Sequence, residues 1–355
     1  MANVKISALP AATSVAAADT LPIVQSATTK KATFQNVIDA VVSNEPGTSF
    51  RNRVINGDFS VNQRAFSSLT ATGYGFDRWK LLTVNSTGSS THTPQAFTAG
   101  NPITGQEPIN YARLVTTGQT GAGDYTFIQQ SIEDVRTLAG QQITISFWAK
   151  ATSGTPKVAV ELNQSFGAGG TPSADVQTYA GQVTLSTSWA RYSVTVTVPS
   201  ISGKTIGTTA NTSTLQLNMF VSAGTSLNTR TGSLGIQSNT FDVWGVQVEA
   251  GSTASAFERR PQQIELALCQ RYYCSVLFDL EVNALTTMSY LGWLPLPQPL
   301  RTTPTVTANL GGSNYTSGSL VWQTTYPNAL RITATPTANG YLRINSSGSI
   351  INSEF

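Results

Sequence analysis

Apolar residues recur at every second position along much of the chain. QQITISFWAKA sets Ile143, Ile145 and Phe147 on one face of an extended segment and Thr144, Ser146 and Trp148 on the other. RYSVTVTVPS alternates Val194, Val196 and Val198 against Thr195 and Thr197 and stops at Pro199. TLQLNMFVSA and NTFDVWGVQVEAG repeat the theme. A period of two is that of a strand with one buried face. Such runs, separated by Gly, Ser, Thr and Asn turns, predict a two-sheet β-sandwich over residues 49–260.

The pattern changes on either side. Over 261–275, Pro261 opens QQIELALCQRYY, where Ile264, Leu268 and Tyr272 recur every four residues. That spacing predicts a short connector helix with one apolar stripe. The stripe is expected to pack at the junction of two β domains or against symmetry mates in an oligomer. SVLFDLEV, TMSYLGWLPL, SLVWQTT, ALRITATP and GYLRINS then predict a smaller β domain over 276–355. Residues 1–48 read as short extended runs broken at Pro10 and Pro22. Phe34, Val37, Ile38 and Val41 follow at helical spacing. This segment is too small to bury a core of its own, so it reads as a docking element that needs a partner. The fold class is mainly β, and no internal repeat of fixed period stands out.

Composition sharpens this. Charged residues are 11% of the 355 and hydrophobic ones 40%, against roughly 25% charged in an ordinary soluble domain. Faces with so few ions can dehydrate cheaply, which suits assembly. The net charge of +3 has no cluster longer than Lys30-Lys31 or Arg259-Arg260. A nucleic-acid binder needs a concentrated basic face, so no nucleic-acid partner is expected. No signal peptide and no apolar run of about 20 residues is visible, so membrane insertion is not expected. Cys269 and Cys274 make no disulfide framework, which fits production in a reducing cytoplasm.

Candidate chemistry is thin. The single histidine, His92, sits in STHTP and reads as a solvated loop residue. Cys269 and Cys274 lie five apart on the expected helix, on different faces, unlike a zinc-binding pair. The carboxylates Asp58, Asp77, Glu107, Asp124, Glu133, Asp134, Asp175, Asp242, Glu249 and Glu258 show no pairing recognisable as that of a glycosidase. Serine elbows, P-loops and the dinucleotide glycine fingerprint are absent, and GAGG at 167–170 opens no obvious helix. The expectation is a protein without catalytic residues. Trp79, Trp148, Trp189, Trp244 and Tyr179 admit two readings, a sugar-stacking platform or core packing. The strong patterning around Trp148 and Trp244 favours packing. Phe166 and Tyr179, in Gly-rich surroundings, are the candidates for exposed glycan contacts.

Several stretches in order resemble bacteriophage tail and fibre proteins. VKISALPAATSVAAADTLPIVQSATTKKATFQNV is similar to a short segment that attaches such proteins to the particle. RNRVINGDFSVNQR, YGFDRW, QSIEDVRTLAGQQITISFWAKA and FDVWGVQVEAGSTASAFERRP resemble a carbohydrate-binding-module-like jelly roll of phage fibres. ELALCQRYY followed by LPQPLRTTPTVT is similar to a recurrent element of virion proteins. The resemblance implies a non-enzymatic tail-fibre or fibre-adaptor component, assembled in the host cytoplasm and located in the virion. It implies a homotrimer that docks on tail, baseplate or capsid proteins through residues 1–48 and touches host surface polysaccharide. A head-fibre or capsid decoration protein and a glycan depolymerase stand as alternatives. No cofactor is implied beyond a structural calcium, for which Asn56, Asp58 and Asp242 occupy the matching NGDF and FDVW positions. Ser60 stands where that pattern commonly carries Glu.

Overall fold

The computed structural model describes residues 20–25, 28–33, 50–100, 102–103, 105–285, 290–322 and 329–355. The helix expected over 34–41 lies outside them. Thr20–Gln25 (β1) and Thr28–Thr33 (β2) pair as an antiparallel hairpin. Pro22 does not break β1 but sits inside it, opposite Lys31. Proline is tolerated in a two-stranded ribbon where its nitrogen faces an outer edge.

The first sandwich begins with β3 (Gly73–Tyr74), β4 (Lys80–Val84), β5 (Ser89–Ala96), β6 (Asn110–Thr117) and β7 (Tyr125–Glu133). It continues with β8 (Gln142–Ala151), β9 (Lys157–Ser165), β10 (Val176–Thr184) and β11 (Ala190–Thr197). β12 (Thr214–Ala223) and β13 (Asn239–Ala250) complete it. A six-stranded sheet in the order β10-β9-β12-β7-β4-β3 packs on a five-stranded sheet in the order β11-β8-β13-β6-β5. Val160, Leu162, Leu215 and Leu217 of the first sheet meet Ile143, Ile145, Phe147 and Val248 of the second in one buried core. The edge strand β11 exposes alternate residues, as the period of two requires, whereas the central β9, β12 and β13 are buried on both faces.

Trp148 and Trp244 are opposite one another on β8 and β13, with ring centroids 5.4 Å apart. Their neighbours in the register, Ala149 and Val243, face the core, so the two indoles lie on the outer face of the five-stranded sheet. Trp244 is nevertheless wholly buried, with Phe257 packed 5.1 Å away. The packing reading holds, but the rings fill an outer aromatic layer and not the space between sheets. A bulge after Trp244 re-aims the strand. Gly245 there has φ 63° and lies against the Trp148 ring, where a Cβ would come within 2.8 Å.

The second domain comprises β14 (Tyr273–Ala284), β15 (Tyr290–Pro295), β16 (Thr305–Thr307), β17 (Leu310–Ser313), β18 (Tyr315–Trp322), β19 (Ala329–Pro336) and β20 (Gly340–Asn352). β14, β16 and β17 all pair with the long β20, and β15-β19-β18 form the facing sheet. Leu330, Ile332, Leu342, Ile344 and Ile351 make a small core between them.

The helix between the domains, α1 (Gln262–Gln270), is shorter than the expected 261–275, because β14 already starts at Tyr273. Its buried side is also different. Glu265, Cys269 and Tyr272 are buried, while Ile264 is 41% exposed and Leu268 is half-buried. The face is rotated because the Glu265 carboxylate accepts hydrogen bonds from the Asn56 amide and from Arg260. Those donors needed an acceptor more than Ile264 needed burial. Of the expected stripe only Tyr272 reaches the domain junction. Cys274 lies on β14 and not on the helix, and both cysteines are free and buried.

The junction is ionic. Arg78, 1% exposed, donates to the Glu354 carboxylate and to the Ser131 carbonyl, and its guanidinium lies 3.4 Å from the Tyr272 ring centre. Arg64 bridges Asp77 at 2.8 Å and Glu354 at 3.4 Å. Arg301 donates to the Ser353, Glu354 and Asn211 carbonyls with its guanidinium 3.8 Å from the Phe355 ring. Residues 353–355 are thereby seated in the first sandwich. Glu354→Gln leaves Arg78 buried without its countercharge, which costs about 3–5 kcal/mol. Calorimetry should show one unfolding transition for the wild type and a lower or divided one for the variant. An unchanged melting profile would mean that the pair holds nothing together.

His92 departs from the expected solvated loop. It lies in β5, has no exposed surface and packs against Phe66 and Phe76 at 4.8 and 6.2 Å between ring centres. Neither ring nitrogen has a hydrogen-bond partner among the described residues, and burial lowers its pKa from 6.5 to about 3. The unfolded chain therefore takes up this proton first. The contribution of neutral His92 is intact above pH 6.5 and is lost progressively as pH falls towards 3. Replacing it, as in His92→Leu, should flatten the fall in stability between pH 6.5 and 4 (denaturant midpoints at each pH, within the window of that shift). Parallel curves for the two proteins would contradict this.

Candidate functional site

The outer face of the six-stranded sheet departs from the rule that exposed strand faces carry scattered polar groups. In KVAVELNQS, Val160 and Leu162 point to the core, so Glu161 and Asn163 point out. In TLQLNMFVSA, Leu215, Leu217 and Met219 point in, so Gln216 and Asn218 point out. The register sets Gln216 opposite Asn163, Asn218 opposite Glu161, and Gln129 of β7 opposite Asn218. Five polar side chains thus share one patch across three strands.

They are tied together. Gln129 donates to Gln216 at 3.1 Å and to Asn218 at 2.9 Å. Asn163 donates to Gln216 at 2.9 Å and to Asp175 at 3.0 Å. Asn218 donates to Glu161 at 2.7 Å. Arg230 closes the row with two bonds to Glu161, at 2.7 and 2.8 Å. Glu161 is fully buried beneath it although it stands on the outer face. The Glu161 hydrogen bond raises the pKa of Arg230 further, against the effect of burial. The Oδ1 atom of Asn163 is buried and has no partner among the described residues.

The row has two rims. Arg230 is delivered by a helical turn, Asn228–Thr231, which ends at Gly232 with φ 60°. A Cβ at Gly232 would lie 2.4 Å from the Tyr179 ring, so glycine allows the turn to close on that tyrosine. Tyr179 stands opposite Glu161 on β10 and is 39% exposed. It is exposed, as expected, but on a strand and not in a loop. Beneath the turn, Phe127, Phe220, Leu227 and Leu234 form a satellite apolar cluster that fixes it to the sheet. At the other end an open cleft of ≈ 360 Å³ lies between Glu133, Asp134 and Arg136 and the segment 206–213. Burial raises the Glu133 pKa, but the hydrogen bonds from Arg271 and Tyr272 outweigh it and leave the group lowered.

Phe166, the second expected glycan contact, is 1% exposed and so cannot stack on a ligand. It ends the β9 region by turning into the protein, under Lys204, and the glycines that follow supply the turn. The calcium set fares no better. Asn56 spends its side-chain amide on the Val61 and Asp77 carbonyls and its oxygen on the Val61 amide. Asp58 accepts from Ser60. Asp242 is paired with Arg113 at 2.7 Å and with Lys150 at 3.7 Å. Gly57 abuts the Val246 carbonyl, four residues along β13 from Asp242. With Asn56 and Asp242 so engaged, the three side chains do not fit a calcium site. No three His, Cys, Asp or Glu side chains among the described residues could hold a metal ion together. No helix among them is long and apolar enough to cross a membrane.

Neither a protein-family model nor any curated protein sequence matches the chain. Solved structures of β-sandwich carbohydrate-binding modules are distantly similar to it. A family 4 module shares 18% identity over 55% of this chain and 98% of its own, with a TM-score of 0.30. A family 22 xylan-binding module from Paenibacillus barcinonensis shares 17% over 49% and 92%, with a TM-score of 0.31. A family 11 module from Clostridium thermocellum, in complex with a mixed-linked β-1,3-1,4 tetrasaccharide, shares 12% over 54% and 99%, also with a TM-score of 0.31.

Proposed function

We propose that this chain is a non-enzymatic structural protein of a bacteriophage particle that contacts host surface polysaccharide through the outer face of its six-stranded sheet. The observation that carries the contact is the tied row of Gln129, Gln216, Asn218, Asn163 and Glu161 beside the accessible ring of Tyr179. Sugar hydroxyls both donate and accept, and the half-buried Gln129 and Gln216, held in place by the buried Asn163, Asn218 and Glu161, meet them with little ordering cost. An aromatic ring at the rim offers a flat surface to the C–H face of a pyranose. The virion part of the reading is supported by the order of the phage-like stretches in the sequence. With it come a homotrimer, attachment through residues 1–48 and assembly in the host cytoplasm.

A binding role is supported over hydrolysis by the state of the one carboxylate at the centre of the row. Both oxygens of Glu161 accept from Arg230, and Oε2 also accepts from Asn218. Both oxygens are thus engaged beneath the surface, and neither is free to reach a leaving oxygen.

The reading is tested by titrating the protein with polysaccharide fragments released from bacterial surfaces and repeating this with Tyr179→Ala and Gln216→Ala. Each variant should bind about tenfold more weakly, the loss of roughly one stacking or hydrogen-bonding contact. Full affinity in both variants would remove the contact from this face. New reducing ends on incubation would make the protein a depolymerase instead.

A further inference from the structure

The opposite face of the first sandwich carries a different chemistry. Arg113, Asp242 and Lys150 are direct neighbours in the register of β6, β13 and β8, a cation, an anion and a cation in one row across the five-stranded sheet. Asp242 is 1% exposed and Arg113 holds it with two bonds, Nε at 2.7 Å and Nη2 at 2.9 Å. That pair is complete by itself. Lys150 is therefore not needed to neutralise Asp242, and its Nζ stands 3.7 Å away, beyond hydrogen-bond length. The row holds an excess positive charge whose two cationic side chains are each 28% exposed.

Rings border this charge. The Lys150 ammonium lies 5.4 Å from the centre of the Trp189 ring, and the Arg113 guanidinium 5.7 Å from that of Tyr111. Tyr111 and Trp189 meet edge to face at 5.3 Å, and Phe97 supports both at 4.7 and 5.2 Å. Trp189 is half-buried, so part of its surface faces solvent beside the ammonium. An ion triplet that served the fold alone would need neither the surplus cation nor an aromatic wall next to it.

We infer that Arg113, Lys150, Tyr111 and Trp189 form a second ligand site, for a sugar residue that carries a carboxylate, such as a uronic acid. The carboxylate would sit against Lys150 and the free edge of Arg113, and the C–H face of the ring against Trp189. Charge-assisted hydrogen bonds supply the anion's contact, and the aromatic wall selects a ring over a bare anion. This site lies on the other sheet from the amide row and does not rest on the reading of that row.

The full chain should be titrated with methyl β-D-glucuronide, with methyl β-D-glucoside as the same ring without charge, and with acetate as charge without the ring. Wild type should bind the glucuronide saturably and prefer it to both controls. Replacing the surplus cation, Lys150→Gln, leaves the Arg113–Asp242 pair intact and should weaken glucuronide binding about tenfold, one charge-assisted contact. Trp189→Ala should remove the preference for glucuronide over acetate, and Lys150→Gln keeps the test decisive if the tryptophan variant loosens the fold. The inference is overturned if wild type shows no saturable binding of the glucuronide or binds the glucoside equally. It is also overturned if acetate competes as well as the glucuronide, or if Lys150→Gln binds as wild type does.

Discussion

A buried guanidinium without a carboxylate is among the more costly things a protein can contain, and Arg78 fixes the arrangement of this one. It arises in the YGFDRW turn of the first sandwich, and its partner Glu354 comes from residues 353–355, beyond the last strand of the second domain. Tyr272 covers the same guanidinium, so the exit of α1 is set by it too. Arg64 and Arg301 extend the contact to Asp77, Asn211 and the 353–355 backbone. The segment 206–213 beside the open cleft is thus tied to the second domain through Asn211. The end of the polar face and the docking of the two domains share residues.

Much of the fold was legible because strand alternation records burial directly. ITISF and SVTVTV give the correct inward faces, since a sheet pair requires one side of every strand to be apolar. The inward face of helix α1 lies one position from its apolar stripe for the opposite reason. An apolar stripe of Ile264 and Leu268 competes with Glu265, and only the three-dimensional neighbourhood of Asn56 and Arg260 shows that a carboxylate is wanted inside. His92 was misread because STHTP looks like a loop, whereas its register against Leu114 places it in a strand with its ring towards Phe66 and Phe76.

The candidate site was only partly readable. Tyr179 could be picked out as an accessible ring in Gly-rich surroundings. Glu161, Asn163, Gln216 and Asn218 could not, although KVAVELNQS and TLQLNMFVSA each place an acid or amide at alternate positions among Val and Leu. That signal says the residues face outward. It does not say that β9 and β12 are neighbours or that Arg230 bends back over Glu161, which comes from non-local pairing. Asp242 was misassigned because its match to a motif says nothing of Arg113 and Lys150 on either side of it.

The central claim is that the amide row on β7, β12 and β9 receives a sugar chain. The most direct measurement is a crystal structure of the protein with an oligosaccharide released from a bacterial surface polysaccharide. The account predicts sugar density across these strands, with hydroxyls on the half-buried Gln129 and Gln216 and a ring against Tyr179. Ordered sugar bound elsewhere, with Gln129, Gln216 and Tyr179 free of it, would contradict it.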